Sequence, residues 1–312
     1  MAKHVSVVVN PRSGAGRARR YLAELDRALQ RLGGTYEILE TRRPGDGVAL
    51  ARRALASGCS VLGVVGGDGT LNEAVQAYVD EEGKPVAGPP LAIIPSGTGG
   101  DFARCCGFAA GDLDAALRRL EARQLRNADL GLLRLHDAEG RALSRAFLNI
   151  ASAGISGDVD ERVERGPKWL GGKWAFFLAT VGAALSYRNV PVEVTLDGRP
   201  WHQGRVLLIA IANGQFFGGG MRVAPSADFG DGWLDVVCVG DLTKTEFLTQ
   251  FPKVREGTHL DLASVRTERA RSVTVLAEAG TRPILVDVDG ETPGYLPLEA
   301  RILPGALQLC VD

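Results

Sequence analysis

The stretch Val61-Leu62-Gly63-Val64-Val65-Gly66-Gly67-Asp68-Gly69-Thr70-Leu71-Asn72-Glu73-Ala74-Val75 restricts the possible folds more than any other part of the chain. Its apolar, β-branched start reads as a buried parallel strand, and the glycines around one acid read as a turn into a helix. Glycine tolerates φ > 0 and lets a bulky anion approach bare backbone, while the N–H groups of a helix N-terminus point at that anion. Asp68 is the unusual member. A carboxylate beside phosphates repels them unless a divalent cation or a transferable proton lies between, which suggests chemistry on a nucleotide. Taken alone, Gly-Gly-Asp-Gly is equally well explained as ordinary turn chemistry. A second run of the same build, Ile93-Ile94-Pro95-Ser96-Gly97-Thr98-Gly99-Gly100-Asp101-Phe102-Ala103, shifts that balance. Loops that follow neighbouring parallel strands face one crevice.

A third junction of this kind opens the chain, where Val5 to Val9 runs into Asn10-Pro11-Arg12-Ser13-Gly14-Ala15-Gly16. Leu22, Leu25, Leu29 and Leu32 then recur at helical spacing, with arginines elsewhere, up to Gly33-Gly34. Tyr36 to Glu40 reads as a strand ending in Thr41-Arg42-Arg43-Pro44-Gly45-Asp46-Gly47, followed by a helix with Val48, Leu50, Ala51, Ala54 and Leu55 on its apolar face. A further helix is predicted over Asp112 to Arg123. Strands alternating with helices imply a parallel sheet with right-handed crossovers.

From about Asn127 the pattern changes to short strand-like runs bounded by Gly, Pro and Asp. They are Val192 to Pro200, Val206 to Ala212, Leu234 to Val239, Ser272 to Leu276, Ile284 to Val288 and Arg301 to Leu303. One helix, about Lys173 to Tyr187, is apolar nearly all round and is expected to pack between layers. The expected architecture is an N-terminal Rossmann-like parallel α/β domain, residues 1–128, and a C-terminal antiparallel β-sandwich, residues 129–302. The tail, residues 303–312, returns to the first domain in this reading.

A chain of 312 residues is long enough for two such cores. With 36 basic and 37 acidic residues the net charge is −1, so no global field recruits nucleic acid or anionic lipid, and any membrane contact has to be local. Five cysteines without metal-ligand spacing point to free thiols in a reducing compartment. The start, Met1-Ala2-Lys3-His4, enters a strand rather than a signal peptide's hydrophobic region. The longest apolar stretch, Trp174 to Leu185, is far short of the roughly 20 residues that cross a bilayer. The expectation is a cytoplasmic protein with no transmembrane segment; the oligomeric state stays open, a homodimer included.

Standard phosphate signatures are absent: there is no Gly-x4-Gly-Lys-Ser/Thr, and Gly14-Ala15-Gly16 lacks the third glycine of a dinucleotide fingerprint. No Gly-x-Ser-x-Gly elbow occurs, and His4, His136, His202 and His259 are too scattered to suggest a triad or a metal site. Instead, the ordered set Asn10-Pro11-Arg12-Ser13-Gly14, Gly66-Gly67-Asp68-Gly69-Thr70 and Pro95 to Ala103 resembles the diacylglycerol kinase catalytic-domain family, and within it the bacterial soluble lipid kinases. Later blocks carry the resemblance nearly end to end: Ala128-Asp129-Leu130-Gly131, Asn213-Gly214-Gln215 through Gly220, Asp231-Gly232-Trp233-Leu234-Asp235 and Asp289-Gly290-Glu291. Gly100 departs from the pattern, since many relatives carry Asn there.

The resemblance implies an ATP-binding α/β domain, a β-sandwich, a lipid cleft between them, and transfer of the γ-phosphoryl group to a lipid hydroxyl, most simply that of diacylglycerol. It implies that Asn10, Thr41, Gly66, Gly67, Asp68, Gly69, Thr70, Leu71, Asn72 and Thr98 line the nucleotide, with Asp68 near its Mg²⁺. Glu291 is the implied general base. A structural Mg²⁺ is implied on the backbone of Asp228, the carboxylate of Asp231 and the backbone of Trp233, a donor set that suits a hard cation. Phosphoryl transfer needs positioning, charge neutralisation and one base, which such residues supply. From the residues alone, Asp289-Gly290-Glu291 is more simply a turn between strands. Trp169, Trp174, Phe176, Phe177, Phe216 and Phe217 are each more simply core, and Arg162, Arg165 and Lys168 are candidates for a local contact with anionic lipid. Arg17, Arg19 and Arg20 are candidates for phosphate, and more simply a solvated helix face. Two other functions stay in play: an NAD kinase-like enzyme, and a nucleotide-gated lipid-binding protein without catalysis.

Overall fold

The computed structural model describes residues 4–31, 34–96, 100–109, 111–122, 124–156 and 187–312. Two compact units divide the chain: Met1–Leu130 with Leu303–Asp312, and Gly131–Ile302.

The first unit is a parallel sheet with helical crossovers. Its strands are β1 (His4–Val9), β2 (Thr35–Glu40), β3 (Val61–Gly66) and β4 (Leu91–Pro95), ordered β2-β1-β3-β4, all parallel. Val7, Val8, Val9, Leu62, Val64, Val65, Leu91 and Ile94 are almost wholly buried, as expected of strands covered on both faces. The C-terminal tail extends this sheet, with Leu309 pairing parallel to Leu91.

The helices are α1 (Ser13–Arg31), α2 (Asp46–Ala56), α3 (Asp68–Val75), α4 (Asp101–Cys105) and α5 (Leu113–Ala122). Helix α1 buries Ala18, Leu25, Ala28 and Leu29 against the sheet and leaves Arg19, Arg27 and Arg31 in solvent. Two expected loops are shorter than the sequence suggests. Helix α1 already begins at Ser13, so Gly14 and Gly16, at φ 60° and 83°, lie in its irregular first turn. Between β3 and α3 the loop is Gly67 alone.

The second unit is a β-sandwich, as expected. β5 (Gln124–His136) enters it from the first unit, and β6 (Ala142–Phe147) pairs with it antiparallel. β7 (Ile150–Gly154) is central to one layer. In that layer β7 is flanked by β10 (Leu208–Ala212) on one side, after the hairpin of β8 (Val190–Leu196) and β9 (Arg199–Val206). A two-stranded ribbon follows, β11 (Phe216–Phe217) with β12 (Met221–Arg222). The layer continues outward through β13 (Leu234–Val239) to β14 (Val265–Ala270). On the other flank of β7 lie β16 (Leu285–Val288) and the start of β17 (Glu291–Val311), while β15 (Ser272–Ala277) joins β8 to a later part of β17.

The expected single run from Val192 to Pro200 is two strands joined at Asp197-Gly198, both at positive φ, 47° and 77°. The run from Val206 to Ala212 breaks at Leu207. One helix of this unit was not legible: α6 (Lys244–Glu256) opens on a capping box formed by Thr243 and Glu246. The expected apolar helix from Lys173 lies outside the described residues except for its last residue, Tyr187, which is buried.

Candidate active site

Four loops leave the carboxyl ends of β1, β2, β3 and β4, the end of an open α/β sheet where ligands bind. Side chains tie these loops to one another. At the end of β1, Asn10 Nδ2 donates to Thr70 Oγ1 in α3 at 3.2 Å, while Asn10 Oδ1 accepts from Arg12 N at 3.0 Å. Ser13 Oγ lies 2.6 Å from Ser96 Oγ, which joins the first loop to the one after β4. Thr41 continues the β1–β2 ladder, its N–H donating to Val9 O at 2.9 Å.

The segment that follows Thr41 folds around two carboxylates. Asp46 accepts from Arg42 N at 2.9 Å and Arg43 N at 3.0 Å, and these backbone donors hold its carboxyl below the usual range. Glu73, from α3, accepts from Gly45 N at 2.8 Å and Gly47 N at 2.7 Å. A Cβ on Gly47 would stand 2.5 Å from Glu73 Oε2, so only glycine permits this approach.

Asp68 is the keystone of the remaining pair. Its Oδ2 accepts from Asp101 N at 2.9 Å and its Oδ1 from Phe102 N at 3.2 Å, so the first residue of α3 caps the start of α4. Each oxygen retains lone-pair capacity, so the carboxylate also suits contact with the cation of a metal–nucleotide complex. Asp101, buried behind it, pairs with Arg104 at 2.5 Å.

The glycines act differently from the sequence expectation. Gly67 has φ −102°, not a positive φ, and a Cβ there would meet nothing within 4 Å. What Gly67 supplies is open space at the start of α3. The sterically demanded glycine is Gly66, whose Cβ would fall 2.4 Å from Thr70 Cβ. Gly69, Thr70, Leu71 and Asn72 belong to α3, and Thr70, Leu71 and Asn72 are buried; Asn72 Oδ1 accepts from Gln76 Nε2 at 3.3 Å. Thr98 lies outside the described residues.

In the second unit, Asp289 (φ 52°) and Gly290 (φ 88°) form the two-residue turn between β16 and β17, and exposed Glu291 follows it. The Asp289 carboxylate accepts from three amides, Leu148 N, Asn149 N and Ile150 N, at 3.0, 3.1 and 2.9 Å. Asp287, which carried no signal in the sequence, is fully buried; its Oδ1 accepts from Gly290 N at 2.8 Å.

Asp228, Asp231 and Trp233 do meet in one turn, where Asp231 N donates to Asp228 O at 3.3 Å and Trp233 N to Asp231 Oδ1 at 3.0 Å. The other oxygen of Asp231 is held by Arg269, whose Nε is also 3.7 Å from Asp235 Oδ2. Arg269 and Arg271 both stack near the Trp233 ring, 5.6 and 4.6 Å from its centroid. Arg269, shared between Asp231 and Asp235, competes with any cation for the Asp231 carboxylate. Among the described residues no cluster of three acidic, His or Cys side chains is placed to hold a metal.

Beneath α6 the second unit encloses an apolar cavity with about 800 Å³ of empty space, its open mouth included. Ile155, Leu207, Phe217, Phe247 and Phe251 line it, and Ser156 is among the few polar residues in its wall. Phe217 is thus a cavity residue; Trp169, Trp174, Phe176, Phe177, Arg162, Arg165 and Lys168 lie outside the described residues.

Comparison with known proteins identifies the family of the two units. Residues 4–133 match the model of the diacylglycerol kinase catalytic domain, and residues 149–311 match that of the YegS C-terminal NAD kinase β-sandwich-like domain. A diacylglycerol kinase of Mycobacterium tuberculosis is 30% identical over 305 residues, 98% of this chain and 94% of that one. The chain belongs to the diacylglycerol kinase catalytic-domain family. A further member, from Staphylococcus carnosus, is 27% identical over 297 residues, 95% of this chain and 91% of its own.

Among solved structures, a diacylglycerol kinase of Bacillus anthracis superposes with a TM-score of 0.75 at 24% identity, covering 100% of this chain and 98% of that one. A yeast NADH kinase superposes at 0.54 with 10% identity, covering 100% and 84%. These two likenesses are of fold. No helix among the described residues is long and apolar enough to cross a membrane.

Proposed function

We propose that this protein is an ATP- and Mg²⁺-dependent lipid kinase that transfers the γ-phosphoryl group to a lipid hydroxyl, with diacylglycerol as the simplest acceptor and phosphatidic acid as the product. One observation carries the reading: the loops after the four parallel strands are cross-linked by Asn10, Ser13, Glu73 and Asp68 into one platform, with Gly67 left open. Preorganised amides at helix N-termini are what a transferring phosphoryl group requires. The almost wholly apolar lining of the cavity under α6 supports an acceptor that carries a hydrocarbon chain.

In the proposed reaction the lipid hydroxyl oxygen forms a bond to the γ-phosphorus as the bond from that phosphorus to the β–γ bridging oxygen breaks, and ADP leaves. Glu291 takes the hydroxyl proton, and Asp68 faces the Mg²⁺ that accompanies ATP. Asn10, Thr41, Gly66 to Asn72 and Thr98 are the proposed nucleotide contacts. Bound with ATP, the cation neutralises charge developing on the phosphates. The enzyme is proposed to be cytoplasmic and to meet its substrate at a membrane surface.

The test is incubation of the purified chain with γ-labelled ATP and, separately, diacylglycerol, other neutral lipids and NAD. Label is expected in lipid. Label in NAD alone, or no ADP release with any lipid despite ATP binding, overturns the reading in favour of a nucleotide kinase or a non-catalytic binder respectively.

A further inference from the structure

The turn that precedes Glu291 is held by a contact that the turn itself does not need. Asp289 and Gly290 are both at positive φ, 52° and 88°, as a two-residue hairpin of this hand demands. Asn serves that first position as well as Asp does, since both tolerate the left-handed region. The carboxylate does something further. Its Oδ2 accepts from Leu148 N at 3.0 Å, and its Oδ1 from Asn149 N at 3.1 Å and Ile150 N at 2.9 Å. Asp289 N donates in return to Ile150 O at 3.0 Å. An ionised carboxylate only accepts and can take three N–H groups at once, whereas an Asn side chain has a single acceptor oxygen and turns an N–H₂ group toward the rest.

Residues 148–150, the seat of this carboxylate, are buried, and they are bonded also to the chain that leads into β11. Leu148 O accepts from Asn213 Nδ2 at 2.7 Å, and Asn149 O from Asn213 N and Gly214 N at 2.8 and 2.9 Å. Asn149 Nδ2 donates to Phe216 O at 2.5 Å, one residue before Phe217, which lines the apolar cavity. The hairpin that presents Glu291 and the ribbon that walls the cavity therefore hang from the same three residues. Gly290, the other residue of the turn, is anchored separately, its N–H donating to buried Asp287 Oδ1 at 2.8 Å.

Resting on the lipid-kinase reading above, we propose that Asp289 is a positioning residue for phosphoryl transfer. Its role requires no contact with nucleotide or lipid. It acts through Glu291: its three bonds fix the backbone beside the base relative to the cavity that takes the acceptor's chain. Proton transfer requires hydrogen-bond reach, and a misplacement of about 1 Å can cost about 10²-fold in rate. A base on an exposed hairpin gains such placement from a tie to the buried frame beneath it.

Two variants keep the positive φ and weaken the tie: Asp289→Asn, which leaves one acceptor oxygen, and Asp289→Gly, which leaves none. In each, kcat with γ-labelled ATP and diacylglycerol is expected to fall about 10- to 100-fold while the KM for ATP stays within about 2-fold. Amide exchange at 148–150, measured without substrate, is expected to accelerate while β13 stays protected. General destabilisation also lowers activity, so the deciding readout is the double variant. Once Glu291→Gln has removed the base there is nothing left to position, and adding Asp289→Asn is expected to change kcat by no more than about 2-fold.

Equal losses of kcat in both backgrounds, an undiminished kcat in the folded single variants, or exchange at 148–150 no faster than in the wild type overturns the proposal while the kinase reading stands. A wild type that puts no label into lipid overturns the kinase reading, and this proposal with it.

Discussion

Asp68 holds two amides of α4 with its two oxygens, and Glu291 is an exposed residue beyond a hairpin turn. Substitution of the two should separate a structural role from a chemical one. Asp68→Asn leaves one acceptor oxygen and faces an N–H₂ group toward a backbone N–H, so α4 loses half its cap. A loss of about 1–3 kcal/mol in unfolding free energy is expected, together with weaker ATP binding. Glu291→Gln should lower kcat by about 10²- to 10⁴-fold with little change in ATP affinity if this carboxylate takes the proton. Urea unfolding and steady-state kinetics on both variants make the comparison. An undiminished kcat in Glu291→Gln, measured where chemistry limits turnover, would move the base elsewhere.

Among the elements, the turn 228–233 and helix α6 show where sequence and structure part. The strands β1, β3 and β4 were legible as apolar runs buried on both faces, whereas the edge strand β2, in which only Leu39 is buried, showed only through its short apolar pattern. Helix α6 was not, because none of its residues is fully buried and its half-buried Phe247, Phe251 and Val254 make a weak periodic signal. β14 was missed for the same reason: its central residues Arg266, Thr267, Glu268 and Arg269 are all exposed. The partners of Asp68, Glu73 and Asp231 are remote in sequence, so no local spacing announces them.

For Asp231 the consequence is measurable. With Arg269 as its counter-cation, the midpoint of thermal unfolding of the nucleotide-free protein should not respond to Mg²⁺ or chelator. Arg269→Gln should cost no more than about 1 kcal/mol, since both side chains are partly solvated. A midpoint that falls in chelator, and no longer does so in Asp231→Asn, would restore a bound cation to this turn.

Helix α6 ends beside His259, which lines the same cavity and donates from Nε2 to Val223 O at 3.0 Å. Burial lowers the pKa of His259 below its ordinary 6.5. The unfolded chain therefore takes up a proton near pH 6.5 that the folded chain resists, so the unfolded state binds more protons and stability rises with pH through this window. Acidification from pH 7.5 to 5.5 is expected to destabilise the protein, and His259→Gln to reduce the slope. His202, lowered chiefly by burial, adds a slope of the same sign that this variant keeps. Equal slopes in wild type and variant would place the titration elsewhere.

At the scale of the whole molecule, the chain returns to its first unit at the end. Residues 303–312 belong with residues 1–130, although the whole second unit separates them in sequence. Leu307, Leu309 and Cys310 are buried there, at 4%, 0% and 1% exposure, and Leu309 sits beside Leu91 on the edge of the nucleotide-loop sheet. Burying a Leu side chain is worth about 1.5–3 kcal/mol, so the two leucines alone rival a sizeable share of the 5–15 kcal/mol that keeps a typical domain folded.

Asp312 adds an ion pair to Arg119 at 3.2 Å, and Arg119 is nearly wholly buried with its guanidinium 3.8 Å from the Phe108 ring centroid. Removing the tail thus uncovers a sheet edge and leaves a buried cation without its carboxylate, the costlier half of breaking such a pair. Deletion of residues 303–312 is expected to abolish slow hydrogen exchange in β3 and β4 and to abolish ATP binding, while the amides of β7 and β10 remain protected. Retention of protection in β4 after the deletion would show that the tail is an accessory strand rather than a structural part of the nucleotide-loop sheet.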